Sequence, residues 1–219
     1  MMRLSQRLQA IAAFVNRNSV VADVGADHGK LLLYLSEKGL IAKGYGIENK
    51  AGPFEILKTN LKRFASSDLR PRLQDGISHL EGDVDTLILA GLGGETIIRI
   101  LKDGENNLAQ IKTIITDSHT SIGEVRRQIV SLGFAIAEEQ LVNERQKYYE
   151  ITKFVRVLKP IEYSDFEYRH GPHIIRSPEF RAYAQHLIRK INLLITDDLP
   201  PDIKEELRQE REVLQKYEN

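Results

Sequence analysis

The segment Asp23-Val24-Gly25-Ala26-Asp27-His28-Gly29 leaves an apolar run and opens a helical pattern containing Leu31, Leu32 and Leu35. A glycine directly after a strand lets the backbone turn sharply and lets a ligand come close, and the start of the next helix offers free N–H donors. A dinucleotide loop needs G-x-G-x-x-G, whose second glycine makes room for a pyrophosphate. Position 27 is Asp instead, a charge that repels pyrophosphate and suits a cation. S-adenosylmethionine, with its sulfonium and ammonium, is a ligand of that kind. The alternative is a structural turn with no ligand, because such glycines are common between strands and helices. His28 stands beside Asp27 at the helix start, where a cofactor contact and a structural role are equally open.

A ribose-binding carboxylate belongs at the end of the second strand, about 20 residues beyond the glycine loop. Glu48 ends the run Gly44-Tyr45-Gly46-Ile47 and meets that requirement. Asp75-Gly76, after a third and weaker run, is placed to face an adenine amino group, and an ordinary Asp-Gly turn explains it equally well. The turn Ala90-Gly91-Leu92-Gly93-Gly94-Glu95 follows the fourth run, where an acceptor would sit. It lacks the Asn/Asp-Pro-Pro-aromatic motif of enzymes that attack with an exocyclic adenine amine. His79 and His119 form no ligand pattern and cysteine is absent, so no catalytic metal, disulfide or thiol chemistry is expected.

Apolar runs alternating with helical patterns up to about residue 158 indicate an α/β fold with a largely parallel sheet. Strands are expected at Val20–Val24, Gly44–Glu48, Arg70–Leu73, Thr86–Ala90 and Thr113–Thr116. Helices are expected at Leu4–Val15, against the sheet edge, at Pro53–Phe64 and at Ile122–Leu132. Phe134–Val142 and Tyr148–Leu158 read as a terminal antiparallel hairpin around Asn143–Lys147. From Ile161 the pattern is helical. Phe180, Tyr183, Ala184, Leu187, Ile188, Ile191, Leu194 and Ile195 trace one stripe, Asp197-Asp198-Leu199-Pro200-Pro201 breaks it, and Ile203, Leu207, Leu214 and Tyr217 trace a second. Two such helices make an antiparallel hairpin. The expected division is residues 1–160 and 161–219. This order of elements resembles the class I methyltransferases, in which a Rossmann-like sheet takes its last strand antiparallel.

With 219 residues, 42% hydrophobic and 28% charged, the chain has material for a real core. No apolar stretch approaches the roughly 20 residues of a membrane helix, and Met1–Leu8 lacks the apolar h-region of a secretory signal, so a cytoplasmic location is expected. Thirty-one basic residues balance thirty-one acidic ones, so a nucleic-acid partner must be held by a local patch.

Taken together, the residues resemble the bacterial tRNA (adenine-22-N1) methyltransferases over nearly the whole chain. The similar stretches are Leu4–Leu8, Ala22–His28, Gly52-Pro53-Phe54, Asp75-Gly76, Ala90–Gly94, Leu141–Glu144, Lys147–Ile151, Gly171-Pro172-His173 and Ser177–Phe180. The resemblance implies a Rossmann-like catalytic domain, a coiled-coil-like C-terminal domain that helps hold tRNA, and methyl transfer from S-adenosylmethionine to N1 of an adenine. It implies that Arg7, Gly25, Asp27, Glu48, Asp75, Gly76, Ala90 and Gly91 line the cofactor site, with Asp27 also touching the base as the catalytic carboxylate. Three departures bear on the substrate. Leu92 replaces Met, Gly29-Lys30-Leu31-Leu32 replaces Ala-Tyr-Leu-Pro, and Thr116-Asp117-Ser118 replaces Gln-Pro-Asn. Lys30, Leu92, Asp117 and Tyr149 are the expected substrate contacts, with Tyr148 or Tyr149 stacking on the base. Arg3, Arg7, Lys30, Arg126, Arg127, Arg145 and Lys147 are candidates for phosphate contacts. A monomer is expected. Two rivals remain at this level: a methyltransferase of another substrate, and a cofactor-binding RNA adaptor with weak catalysis.

Overall fold

The computed structural model describes residues 3–63, 68–196 and 198–217. Phe64 and Asp197, used above to delimit helices, lie outside the described residues. Seven strands form one sheet: β1 (Ser19–Val24), β2 (Ile41–Glu48), β3 (Leu69–Leu73), β4 (Thr86–Leu92), β5 (Thr113–Ser118), β6 (Phe134–Glu144) and β7 (Lys147–Arg156). Their order is β3-β2-β1-β4-β5-β7-β6. Neighbours from β3 to β5 are parallel, while β7 runs antiparallel to both β5 and β6. The strands that read as continuous apolar runs are buried on both faces. Leu87, Leu89, Ile114 and Phe154 pack to one side, and Val21, Ile88, Ile115 and Ile151 to the other.

The β6–β7 connection is tighter than the five residues expected, because pairing continues to Glu144 opposite Lys147. Only Arg145 and Gln146 lie between them, with φ of +53° and +64°. Two positive φ angles are what a two-residue turn needs to match strand twist, although neither residue is the usual Asn or Gly.

Helix α1 (Gln6–Phe14) starts where the Ser5 side chain accepts a hydrogen bond from the Leu8 N–H. It buries Ala10, Ile11, Ala12 and Phe14 and packs on the end of the sheet formed by β5, β7 and the edge strand β6. Helices α2 (Lys30–Glu37), α3 (Ala51–Arg63), α4 (Gly94–Asp103) and α5 (Ile122–Ser131) follow their strands.

The chain divides into two compact units, residues 1–172 and 173–219, so the first unit runs past the expected boundary at 160. The reason is α6 (Asp165–His170), which is tied to α5 and the sheet by Arg126. The Arg126 guanidinium is buried and lies 2.7 Å from the carboxylates of both Glu139 and Glu150. It also donates to the carbonyls of Tyr168 and Arg169. This corrects the expectation that Arg126 meets phosphate: it is a core cation with two carboxylate partners. Arg127 is likewise engaged, by Asp165 at 2.6 Å. Gly171 follows at φ +82°, and a Cβ there would lie 2.5 Å from the Glu139 carboxylate and 2.7 Å from Arg126.

In the second unit, α7 (Phe180–Leu194) and α8 (Pro201–Gln215) form the expected hairpin. Phe180, Tyr183, Ala184, Ile188, Ile191 and Leu214 are buried, and the Phe180 ring meets Tyr217 edge-on at 5.0 Å. The seam ends before the loop: Leu194 and Ile203, read as part of the two stripes, are exposed.

Candidate active site

Every parallel strand points its C-terminal end at the same edge of the sheet, and the chemistry-bearing turns gather there. Gly25, at φ +75°, and Ala26 both donate their N–H groups to the Ile47 carbonyl, which pins the first turn against β2. A Cβ on Gly25 would meet Leu92 Cδ2 at 3.2 Å, so the turn and the start of the fourth loop lie close enough that a methyl there would push Leu92 aside by a few tenths of an ångström. Asp27 also has positive φ, +50°, and its N–H donates to Glu48 Oε1 at 2.6 Å. Its own carboxylate projects outward, 71% exposed and 3.6 Å from His28 Nε2.

Two cavities meet at Gly25. The first is lined by Glu48, Asn49, Asp75, Gly76, Leu92 and Arg99 among others. Asp75 is held there by Arg99 at 3.2 Å and by Asn49, and that pairing keeps its carboxyl below the usual carboxylate range. The second cavity, of about 200 Å³, is lined by Arg7, Asp23, Asp27, His28, Lys30 and Ala90 with apolar neighbours. Asp23 is buried on β1, and loss of solvent, reinforced by the nearby Glu48, pushes its carboxyl up to about 7.

Of the residues expected from sequence, Gly25, Glu48, Asp75 and Gly76 surround the first cavity, and Arg7, Gly25, Asp27, His28, Lys30 and Ala90 the second. Gly91, at φ +77°, lies beside Arg7, 3.5 Å from Nη1 to an added Cβ. Leu92, expected on the substrate side, instead lines the cavity that holds Glu48. Asp117 is fully buried and accepts a hydrogen bond from Arg7 Nη1 at 2.9 Å. Burial raises its pKa despite the opposing Arg7, His119 and Lys147. Tyr149 lies between two cations, 5.3 Å from Arg7 and 5.0 Å from Lys147.

Sequence reasoning assigned no role to Asp23 or Arg99. Asp23 carried a signal, an acid inside the apolar run Val20-Val21-Ala22-Asp23-Val24. Arg99 carried none, since an arginine on an amphipathic helix reads as a solvated charge. Among the described residues no group of three or more His, Cys, Asp and Glu side chains could hold a metal. Nor is any helix among them long and apolar enough to cross a membrane.

The donor set suits a zwitterionic amino acid joined to a nucleoside. One cavity offers carboxylates for ribose and base, the other offers both charges, and the glycine between them leaves space that a Cβ would fill. A methyltransferase domain model matches residues 4–152. The chain is 28% identical over 152 residues to the tRNA (adenine(22)-N(1))-methyltransferase of Bacillus subtilis, covering 68% of this chain and 64% of that relative. A Streptococcus pneumoniae protein assigned as a tRNA (m1A22) methyltransferase and solved with S-adenosyl-L-methionine superposes with a TM-score of 0.89. The identity is 26%, and 99% of this chain and 100% of that one are covered. The B. subtilis m1A22 tRNA methyltransferase structure, 21% identical, matches in fold with a TM-score of 0.82 over both whole chains. The chain therefore belongs to the methyltransferase-domain family, and the members it is similar to are bacterial tRNA (adenine-22-N1) methyltransferases.

Proposed function

We propose that this protein transfers a methyl group from S-adenosylmethionine to N1 of adenine 22 in tRNA. The observation that carries the reading is the pair of cavities meeting at Gly25, one lined by carboxylates and the other by cations and anions together. When bound, S-adenosylmethionine supplies a methyl group activated by its sulfonium. Glu48 accepts from the ribose hydroxyls and Asp75 from the adenine amine, while Arg7 and Lys30 hold the methionine carboxylate and Asp23 its ammonium. Gly76, Ala90 and Gly91 let the backbone come close, and His28 borders the same turn.

N1 of adenine carries a lone pair near neutral pH, so no residue has to remove a proton before transfer. The task of the site is alignment, which accounts for much of the acceleration in such reactions. Positive charge spreads over the base as the bond forms. The exposed carboxylate of Asp27, placed at the N6 edge, stabilises that charge and can take a proton. A paired adenine must first leave its stack, at a cost of a few kcal/mol. Tyr149, with Arg7 and Lys147 beside its ring, is the aromatic side chain proposed to stack on such a base, and the hairpin of the second unit is the expected additional tRNA contact.

Transfer of a labelled methyl to bulk tRNA, followed by mapping of the labelled nucleotide, tests the proposal. Label at adenine 22 supports it, as does loss of that label in Asp27→Ala with cofactor affinity retained. Label elsewhere identifies a different substrate. A wild-type protein that binds cofactor and tRNA but transfers nothing is an RNA adaptor.

A further inference from the structure

Asp117 is buried in full at the end of β5, an unfavourable place for a carboxylate unless its contacts repay the lost water. One oxygen, Oδ2, is held by Arg7 Nη1 at 2.9 Å. No donor among the described residues reaches the other, Oδ1. A single partner for a fully buried carboxylate is a poor arrangement for stability alone, so its value lies in what it does to that partner. Arg7 comes from α1, far away in sequence, and its guanidinium is contacted on two sides: Asp117 takes Nη1, and the Tyr149 ring lies 5.3 Å from its central carbon. The side chain also lines the cavity shared with Asp23, Asp27 and Lys30.

We infer that Asp117 is a positioning residue: it anchors one edge of the Arg7 guanidinium so that the remaining N–H donors face the cavity and receive the cofactor's carboxylate. This rests on the methyl-donor reading of the cavity. Arginine presents its donors in a rigid planar fork, so holding one edge sets the direction of the other. Without the anchor, Arg7 keeps its charge and loses its aim.

The test compares two probes on the full chain by calorimetric titration. S-adenosylhomocysteine carries the amino-acid carboxylate, and methylthioadenosine lacks the whole amino-acid end. Asp117→Ala is expected to weaken S-adenosylhomocysteine roughly ten-fold or more, the usual scale for a hydrogen bond to a charged group, and to leave methylthioadenosine unchanged. Asp117→Asn, which keeps an acceptor for Nη1, restores most of the loss. Arg7→Ala weakens the same probe, and adding Asp117→Ala to it costs nothing further. Equal weakening of both probes by Asp117→Ala, or no weakening of S-adenosylhomocysteine, overturns the inference and leaves the proposed function standing. A wild-type chain that binds neither probe overturns both.

Discussion

The backbone N–H of Asp27 donates to the Glu48 carboxylate at 2.6 Å, so the glycine turn after β1 and the end of β2 are held as one piece. Glu48 therefore fixes the turn with Oε1, and in the proposed function its Oε2 is left for a ribose. Glu48→Ala is expected to lower cofactor affinity roughly ten- to a hundred-fold and also to reduce thermal stability, since a bond to a charged acceptor contributes about 1.5–3 kcal/mol. Glu48→Gln, which keeps an acceptor for Asp27, should hold most of the stability while losing affinity. Paired thermal melts and titrations of the two variants check this; equal stability losses would contradict the double role.

Gly25 sits at φ +75° with Leu92 Cδ2 3.2 Å from an added Cβ. Gly25→Ala should cost about 1–2 kcal/mol from the left-handed backbone alone. Combining it with Leu92→Ala relieves the contact but not the backbone strain. Denaturant midpoints of the single and double variants separate the two effects, and full recovery in the double variant would show that contact alone forbids a side chain.

Asp23 and His170 pull the pH dependence of stability in opposite directions. Burial holds the Asp23 carboxyl up at about 7 against 3.8 in an open chain, so the unfolded state releases its proton first. The Asp23 contribution is therefore fully present below pH 4 and declines to a plateau above pH 7, by roughly 4 kcal/mol in all. Burial, with Arg169 and Arg126 nearby, pushes His170 down to about 4 from 6.5, so its contribution is present above 6.5 and lost as acid approaches 4. Asp23→Asn should leave stability near pH 4 little changed, raise it at pH 8, and expose a rising curve between 4 and 6.5. Denaturation at a series of pH values reads this directly, and a variant no more stable than wild type at pH 8 would refute the Asp23 assignment.

An ammonium arriving beside Asp23 favours its carboxylate form, so cofactor binding near pH 6.5 should release protons. Titrations of S-adenosylhomocysteine in two buffers of different ionisation enthalpy measure the number released, which Asp23→Asn should bring close to zero. The same release in the variant would place the proton on another group.

Removing Arg126 leaves the carboxylates of Glu139 and Glu150 buried without their shared cation. Arg126→Met is expected to cost about 3–5 kcal/mol. Adding Glu139→Gln and Glu150→Gln should recover part of it, because neutral amides tolerate burial better than unpaired charges. A single variant within 1 kcal/mol of wild type, on the scale of an exposed ion pair, would mean that the trio is solvated.

The parallel half of the sheet was legible because strands covered on both faces must be apolar throughout, as in Thr86-Leu87-Ile88-Leu89 and Thr113-Ile114-Ile115. The first turn was legible because glycine and two acids at a strand end restrict the ligands it can take. β3 was weak in the sequence because it is an edge strand with no fully buried residue. The Arg7–Asp117 pair and the Arg126 trio were not legible. Each joins charges many residues apart, and nothing local distinguishes a buried arginine from a solvated one. The first unit extends past residue 160 because α6 is held to it by the Arg126 hydrogen bonds and by Tyr168, which packs against its core, and a helix of six residues is too short to show an apolar period in the sequence.

Gly171 leaves no space between the Glu139 carboxylate and Arg126 for even one more carbon. The position is closed twice over, because φ there is +82° and the Glu139 carboxylate is nearer than the arginine. Loss of Arg126 by itself therefore does not open position 171 to alanine, and the bare α-carbon should outlast the arginine in any descendant that keeps this backbone turn.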